Sequence, residues 1–311
     1  MDLPKTLQEF EERFATEESC IAFLRARRWP EGFTCPRCDG RSGWALRSRA
    51  LDECTSCGHQ VSLTAGTVFA RTRKPLTLWF RVIGELLFSK RGCSALELTR
   101  RYPLSFKAAW TWLHKLRCCM DNSAADPLTG MVEVDETYLG GEDDSAHRGR
   151  SLAGKKMLVG CAAECRGDAI GRIRLRKLQA VSVDALCAFI SSTVASGAAV
   201  KTDGWPHYRP IAGLGYTHHP TVIGNPKKAS KLFPRVHRVF GLLDRWLLGT
   251  MHGSVSRRHL PRYLDEFVFR FNRRNSGTRA LLVDRLLGRV FRAVPIYREL
   301  VAPEPLLLVP T

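Results

Sequence analysis

No apolar run in the chain approaches the roughly 20 residues needed to span a bilayer. The first residues, Met1-Asp-Leu-Pro-Lys-Thr-Leu-Gln-Glu-Phe10, lack the basic start and apolar block of a signal peptide. The sequence therefore reads as soluble and cytoplasmic, and no internal repeat marks an array of like units. Acidic residues are scarce, 30 Asp and Glu against 48 Lys and Arg, giving a formal charge of +18. Such an excess disfavours self-compaction unless a polyanion neutralises it, and nucleic acid is the obvious polyanion. Paired-cysteine patterning of the secreted kind is missing as well. The eleven cysteines are odd in number, and four of them form two tight pairs, which fits a reducing compartment better than a disulfide framework. Cys20, Cys93, Cys118, Cys119, Cys161, Cys165 and Cys187 sit in apolar surroundings and are expected to pack as small hydrophobes.

What is present is enough chain, 311 residues, for one large core with one or two small modules. Leu7, Phe10, Phe14, Ile21 and Leu24 recur at helical spacing, predicting a helical lead-in over 1–32. Composition then turns to Cys, Gly, Arg and Ser in a loop-rich module at 33–70, with a strand-like run at 60–63. Helices are expected at 76–89, 94–102 and 106–120, within a helical segment 71–122, with Ser105 as an N-cap. Strands at 131–135, 156–161 and 169–175, a helix at 183–195, a fourth strand at 198–203 and helices at 235–248 and 259–274 give a mixed α/β order for 128–290. Residues 291–311 are expected to form a C-terminal tail whose Pro-rich end, Pro303 to Pro310, is loosely held.

Three constellations carry chemistry. Cys35-Pro-Arg-Cys38 and Cys54-Thr-Ser-Cys57, fifteen residues apart, have the spacing of two knuckles around one tetrahedral zinc. Four thiolates leave no open position, so the metal is structural; four unliganded core cysteines are the alternative. Arg37, Arg41, Arg47, Arg49 and His59 decorate this module, as DNA contacts or as a solvated basic surface. The pair of helices around Pro103 has the layout of a helix-turn-helix whose second helix offers Lys107, Thr111, Lys115 and Arg117 to a major groove; a packed helical connector is the other reading. Lastly, Val134-Asp135-Glu136 and Thr202-Asp203-Gly204 put an aspartate at the end of two apolar strands, 68 residues apart. On neighbouring strands such a pair can share divalent cations for phosphoryl transfer, whereas a lone strand-end Asp is commonly a turn residue.

Arg27-Arg28-Trp29-Pro30, the run from Val134 to Gly141, Thr202-Asp203-Gly204-Trp205 with Tyr208, and the helix from Tyr263 to Arg274 together resemble bacterial insertion-sequence transposases. The likeness is to the zinc-ribbon family numbered fifteen-ninety-five and runs from about residue 5 to 290. It implies a ribonuclease-H-like catalytic domain of the DDE superfamily, in which two aspartates and a third residue hold magnesium or manganese. Asp135 and Asp203 match the first two. The third position, 34 residues after Asp203, falls on His237, a softer ligand better suited to manganese, and Asp244 stands where a basic residue is usual. Glu266, Arg270 and Arg273 share one helical face. The resemblance suggests that Glu266 serves the site and turns the two arginines towards DNA, although a surface ion pair would explain them too.

The expectation is an enzyme that binds double-stranded DNA at terminal inverted repeats, cuts it and joins it to target DNA as a homo-oligomer of two or more protomers, close to the nucleoid. A catalytically silent DNA-binding descendant and a zinc-ribbon nuclease that cuts without joining are the alternatives, the first kept open by His237 and Asp244.

Overall fold

In the computed structural model, which describes residues 4–46, 51–123, 125–140, 156–224, 229–253, 255–291 and 297–301, the chain folds as two units. One comprises Met1–Met120 with Ser276–Thr311, the other Asp121–Asn275.

The first unit opens with α1 (Leu7–Arg13) and α2 (Glu17–Arg28), where one lead-in helix is expected. The break has a local cause: the Thr16 hydroxyl accepts from Ser19 N–H and starts a new helix, as Thr6 does for α1 through Glu9 N–H. Phe10, Phe14 and Phe23 nevertheless pack on the same Phe80 of α3 (Leu76–Phe88), so the apolar period runs across the break. Pro75 gives α3 no side-chain cap; the Glu17 carboxylate accepts from Leu76 and Thr77 N–H instead, at 2.8 and 3.1 Å. α4 (Ala95–Arg101) and α5 (Phe106–Cys118) follow, capped by Ser94 and by the expected Ser105. Between α2 and α3 a small antiparallel sheet is built from β1 (Gly43–Leu46), β2 (Leu51–Cys54) and β3 (Gln60–Ser62), in the order β1-β2-β3.

The second unit is a five-stranded sheet in the order β6-β5-β4-β7-β8, from β4 (Met131–Leu139), β5 (Met157–Arg166), β6 (Ala169–Lys177), β7 (Ala199–Thr202) and β8 (Thr217–Pro220). β5 is antiparallel to β4 and β6, and β7 is parallel to β4 and β8. α6 (Val183–Thr193) and a 3-10 helix (Pro206–Leu214) cover the face that carries Val132, Val134 and Val200. The short α7 (Ala229–Leu232) leads into α8 (Pro234–Met251), which covers the other face with α9 (Leu260–Phe271) over Val159, Cys161, Ile173 and Leu175. Mixed pairing with helices on both faces is the ribonuclease-H-like architecture expected. β8 is not foreseen, because Thr217-His-His-Pro220 has no apolar alternation and is held only by its pairing to β7.

Two boundaries differ from those expected. Residues 276–291 and 297–301 belong with the first unit, where α10 (Ala280–Leu287) and α11 (Tyr297–Val301) lie. Asp284 pairs with Arg27 at 2.5 Å, Val68 N–H donates to the Val290 carbonyl, and the Tyr297 ring meets Trp110 edge to face. The second unit thus ends at Asn275 rather than 290, and α11 forms within the expected C-terminal tail, whose Pro-rich end at 303–310 lies outside the described residues. Among the described residues no helix is long and apolar enough to cross a membrane.

Candidate functional site

The two cysteine knuckles are built alike. In the first, Asp39 N–H donates to the Cys35 carbonyl and Cys35 N–H to the Gly40 carbonyl; in the second, Gly58 donates to Cys54 and Cys54 to His59. Each turn places its fifth residue in the left-handed region, Asp39 at φ 56 and Gly58 at φ 65. The result brings all four Sγ atoms within 4.8 Å of one another, with Cys35 and Cys57 at 3.7 Å and Cys38 and Cys54 at 3.6 Å. Sulfurs about 2.3 Å from one tetrahedral zinc stand about 3.8 Å apart, so the donor set fits that ion. α2 holds the ribbon from behind. Arg25 pairs with Asp52 at 3.0 Å, and the Arg28 guanidinium donates to the carbonyls of Ser62, Leu63 and Ala65. Arg37 is exposed, and so is Arg41, 3.8 Å from an equally exposed Glu31. Arg47, Arg49 and Gly141 lie outside the described residues.

The acidic site follows from strand alternation and register. Side chains two apart on β4 share a face, so Glu133 and Asp135 point towards α8 while Val132 and Val134 point towards α6. β4 and β7 pair in parallel with Val132 beside Val200 and Glu133 beside Lys201. The pairing ends there; Asp135 and Asp203 each follow two residues later, Asp203 just past the end of β7, and the charges of both reach the Tyr208 phenol. Asp203 ends β7 in a turn in which its Oδ1 accepts from Trp205 N–H at 3.0 Å, with Gly204 at φ +76. Asp135 Oδ1 accepts from Glu136 N–H at 2.9 Å.

Glu133 and Lys201 fix the start of α8. Fully buried, Glu133 accepts from Arg235 N–H at 2.9 Å and Val236 N–H at 3.3 Å and pairs with the Arg235 guanidinium at 2.7 Å. It caps a helix whose own N-cap, Phe233, offers no side-chain hydrogen bond. Lys201 donates to the Leu232 carbonyl at 2.7 Å and lies over the Phe233 ring. One turn into α8, His237 then stands over Asp135, with its Nε2 3.6 Å from Oδ2. That nitrogen is buried without a hydrogen-bond partner. Burial pushes the imidazole pKa down while the Glu133 charge pulls it up; the net shift is downward, so the ring is neutral at pH 7 and keeps a lone pair. Carboxylates with an orphaned imidazole nitrogen are a donor set that suits a divalent cation. Among the described residues only the four cysteines gather three donors within 4.8 Å, so Asp135, Asp203 and His237 stand wider apart than that.

Behind this row, Tyr208 is buried and its hydroxyl donates a short hydrogen bond to Glu136 Oε2. Burial, and then the Glu136 charge with lesser contributions from Asp135 and Asp203, hold the phenol pKa well above its usual value, so the proton stays on the ring oxygen. Glu133, Lys201 and Arg235 were not singled out from sequence, although Glu133-Val-Asp135 and Lys201-Thr-Asp203 carry the period-two signal that places each on its aspartate's face. The clamp has a measurable consequence. Glu133→Ala strands the Arg235 charge, of which only 17% is exposed, and uncaps α8, so urea melts should show a loss of roughly 3 to 5 kcal/mol.

The remaining expected contacts are placed differently from one another. On α5, Lys107 is exposed with Nζ 4.1 Å from the Tyr297 ring centroid, and the Thr111 hydroxyl donates to the Lys107 carbonyl. Lys115 is buried and donates to the carbonyls of Val68 and Ala70, and Arg117 is buried too; neither offers its charge at the surface. From Trp112 to Leu116 the helix is buried, so only its first turns face outward. On α9, Glu266 is fully buried and paired with Arg270 at 2.9 Å, and Arg270 keeps 11% of its side chain exposed. Arg273 donates to the Phe269 carbonyl and lies over that ring.

Comparison with known families gives two matches. Residues 127–272 match the model of the ISXO2-like transposase domain, and residues 15–60 match the transposase zinc-ribbon domain. The first spans the sheet, α8 and α9; the second spans α2 and the cysteine knuckles. No curated protein matches the chain.

Proposed function

Because the chain belongs to the zinc-ribbon insertion-sequence transposases with an ISXO2-like catalytic domain, we propose that it cuts the ends of its own element and joins them to target DNA. The observation that carries this reading is the His237 nitrogen, buried without a hydrogen-bond partner 3.6 Å from Asp135 on β4, the strand that pairs with β7, which Asp203 follows. These three would hold magnesium or manganese. A cation bound there makes a water or a 3′-hydroxyl more acidic and takes up charge on the leaving oxygen.

The chain's own residues supply the rest. Pairing with Cys161 in the middle of β4, which runs past the expected end at 135 to Leu139, fixes Asp135, and the Gly204 turn aims Asp203. Tyr208 holds the Glu136 carboxylate aside, so the residue next to Asp135 does not compete for the cation. Glu266 positions Arg270 within α9. DNA binding falls to the zinc ribbon and the first turns of α5, through Lys107 and Thr111; given their burial, Lys115 and Arg270 are left to the fold. Water is the first nucleophile and the freed 3′-hydroxyl the second, so no covalent protein intermediate forms. Holding two DNA ends needs at least two protomers, acting where the DNA lies, in the cytoplasm at the nucleoid.

His237 also supports the silent-binder reading, since imidazole is a poor magnesium ligand. The two readings part on the metal. For an active enzyme, manganese should sustain cleavage better than magnesium in the native protein, and His237→Glu should shift the preference to magnesium by about tenfold, measured as the ratio of cleavage rates. No cleavage with either metal in either form would leave a DNA-binding protein without catalysis. Cleavage of an end without joining would make it a nuclease.

A further inference from the structure

Between the segment 70–73, the N-terminal half of α5 and α11, the first unit encloses an open cavity of about 750 Å³. Its charged lining is Arg71, Arg73, Lys107, Lys115 and Arg298, and among the described residues no carboxylate lines it. Cations gathered this closely repel one another, and an anion seated among them removes that repulsion. The crowding is visible at Lys115: burial pushes its ammonium pKa down, and the charge of Arg71 pushes it further. Arg71 itself sits at φ 60, a left-handed conformation that residues with a Cβ seldom adopt and that tends to be kept where a side chain must be aimed. The start of α5 adds its own field. Ser105 caps Ala108 N–H, and the positive end of the helix dipole lies at Phe106 and Lys107 beside the cavity. One wall is rigid, formed by Trp79 and Trp112 stacked at 3.7 Å. The Tyr297 ring holds the Lys107 ammonium over the opening.

We propose that this cavity seats the sugar-phosphate backbone of DNA, with Arg71, Arg73, Lys107 and Arg298 each neutralising a phosphate. The proposal rests on the DNA-binding reading above and adds to it that the last helix, α11, completes the surface that α5 begins. Contacts of this kind carry no base information, so they strengthen binding to every sequence alike and set the register in which the first turn of α5 meets base edges.

The test is fluorescence anisotropy with the full-length, zinc-loaded protein over a range of salt, on a duplex carrying the element end and on a scrambled duplex. Arg73→Ala and Arg298→Ala should each weaken binding roughly five- to tenfold at about 0.1 M salt on both duplexes, and each should lower the log–log salt slope by about 1. Arg298→Lys keeps the charge and should keep the slope. Native affinity and slope in both alanine variants would overturn the proposal while leaving the DNA-binding reading intact. A slope lost equally in Arg298→Lys and Arg298→Ala would overturn it too, since a fold defect and not a phosphate contact would then be responsible. A native protein that binds neither duplex would remove the DNA-binding reading and the proposal together.

Discussion

Asp135→Asn is expected to lower metal-dependent cleavage and joining on the order of a thousandfold while leaving DNA binding at or above the native level. The substitution preserves shape. The amide oxygen it introduces can still accept from Glu136 N–H, so the middle of β4 keeps its local hydrogen bond. What goes is one negative charge from a row in which Asp135 and Glu136 are adjacent and Glu133 shares the Asp135 face. The Arg235 guanidinium compensates Glu133 within this row. Removing one of several like charges from such a row relieves repulsion, so the variant should melt at or above the native temperature. Stability and activity moving in opposite directions is the signature of a site built to hold a cation. A variant that loses activity and stability together would point instead to a structural aspartate.

The second large effect concerns the ribbon. Cys54→Ser is expected to release the structural zinc and unfold residues 33 to 63 locally, since metal binding contributes roughly 10 to 16 kcal/mol to folding in small zinc modules. The module has little else to hold it. Its strands have four, four and three residues, and its buried apolar side chains apart from cysteine are few, Val61 and Leu63 at its end among them. Arg25 and Arg28 tie it to α2 but cannot replace a core. Zinc content should fall by one equivalent per chain, and limited proteolysis should cut within the ribbon while the second unit, Asp121–Asn275, stays intact. Because chelators would strip both metals, the cysteine variant is the cleaner probe. Retained zinc with an unchanged proteolysis pattern would contradict the four-thiolate site.

Much of this was readable in the sequence because the informative residues are local. The two CxxC pairs declare their metal by spacing alone, and β4 and β7 announce themselves as apolar runs that lead into an aspartate, although β4 runs on to Leu139. Register is not local. That β4 and β7 are neighbours, with Glu133 pairing with Lys201 two residues before each aspartate, is encoded by no spacing between distant strands. The return of α10 and α11 to the N-terminal unit was hidden for the same reason, resting on the Arg27–Asp284 pair and the Val68–Val290 hydrogen bond. β8 stayed out of sight because an edge strand of Thr, His and Pro satisfies its backbone without a buried face. Lys115 misleads differently. It lies three residues from Trp112 and next to Leu116, on the packed side of α5, so periodicity could have placed it inside even though its charge suggested a DNA contact.

The most direct test of the account is joining of a pre-cut element end, bearing a free 3′-hydroxyl, to a supercoiled target plasmid by the native protein with magnesium or manganese. The account expects joined products with at least one metal, none with EDTA and none with Asp135→Asn. Tight binding of the end with no joined product under either metal would contradict it.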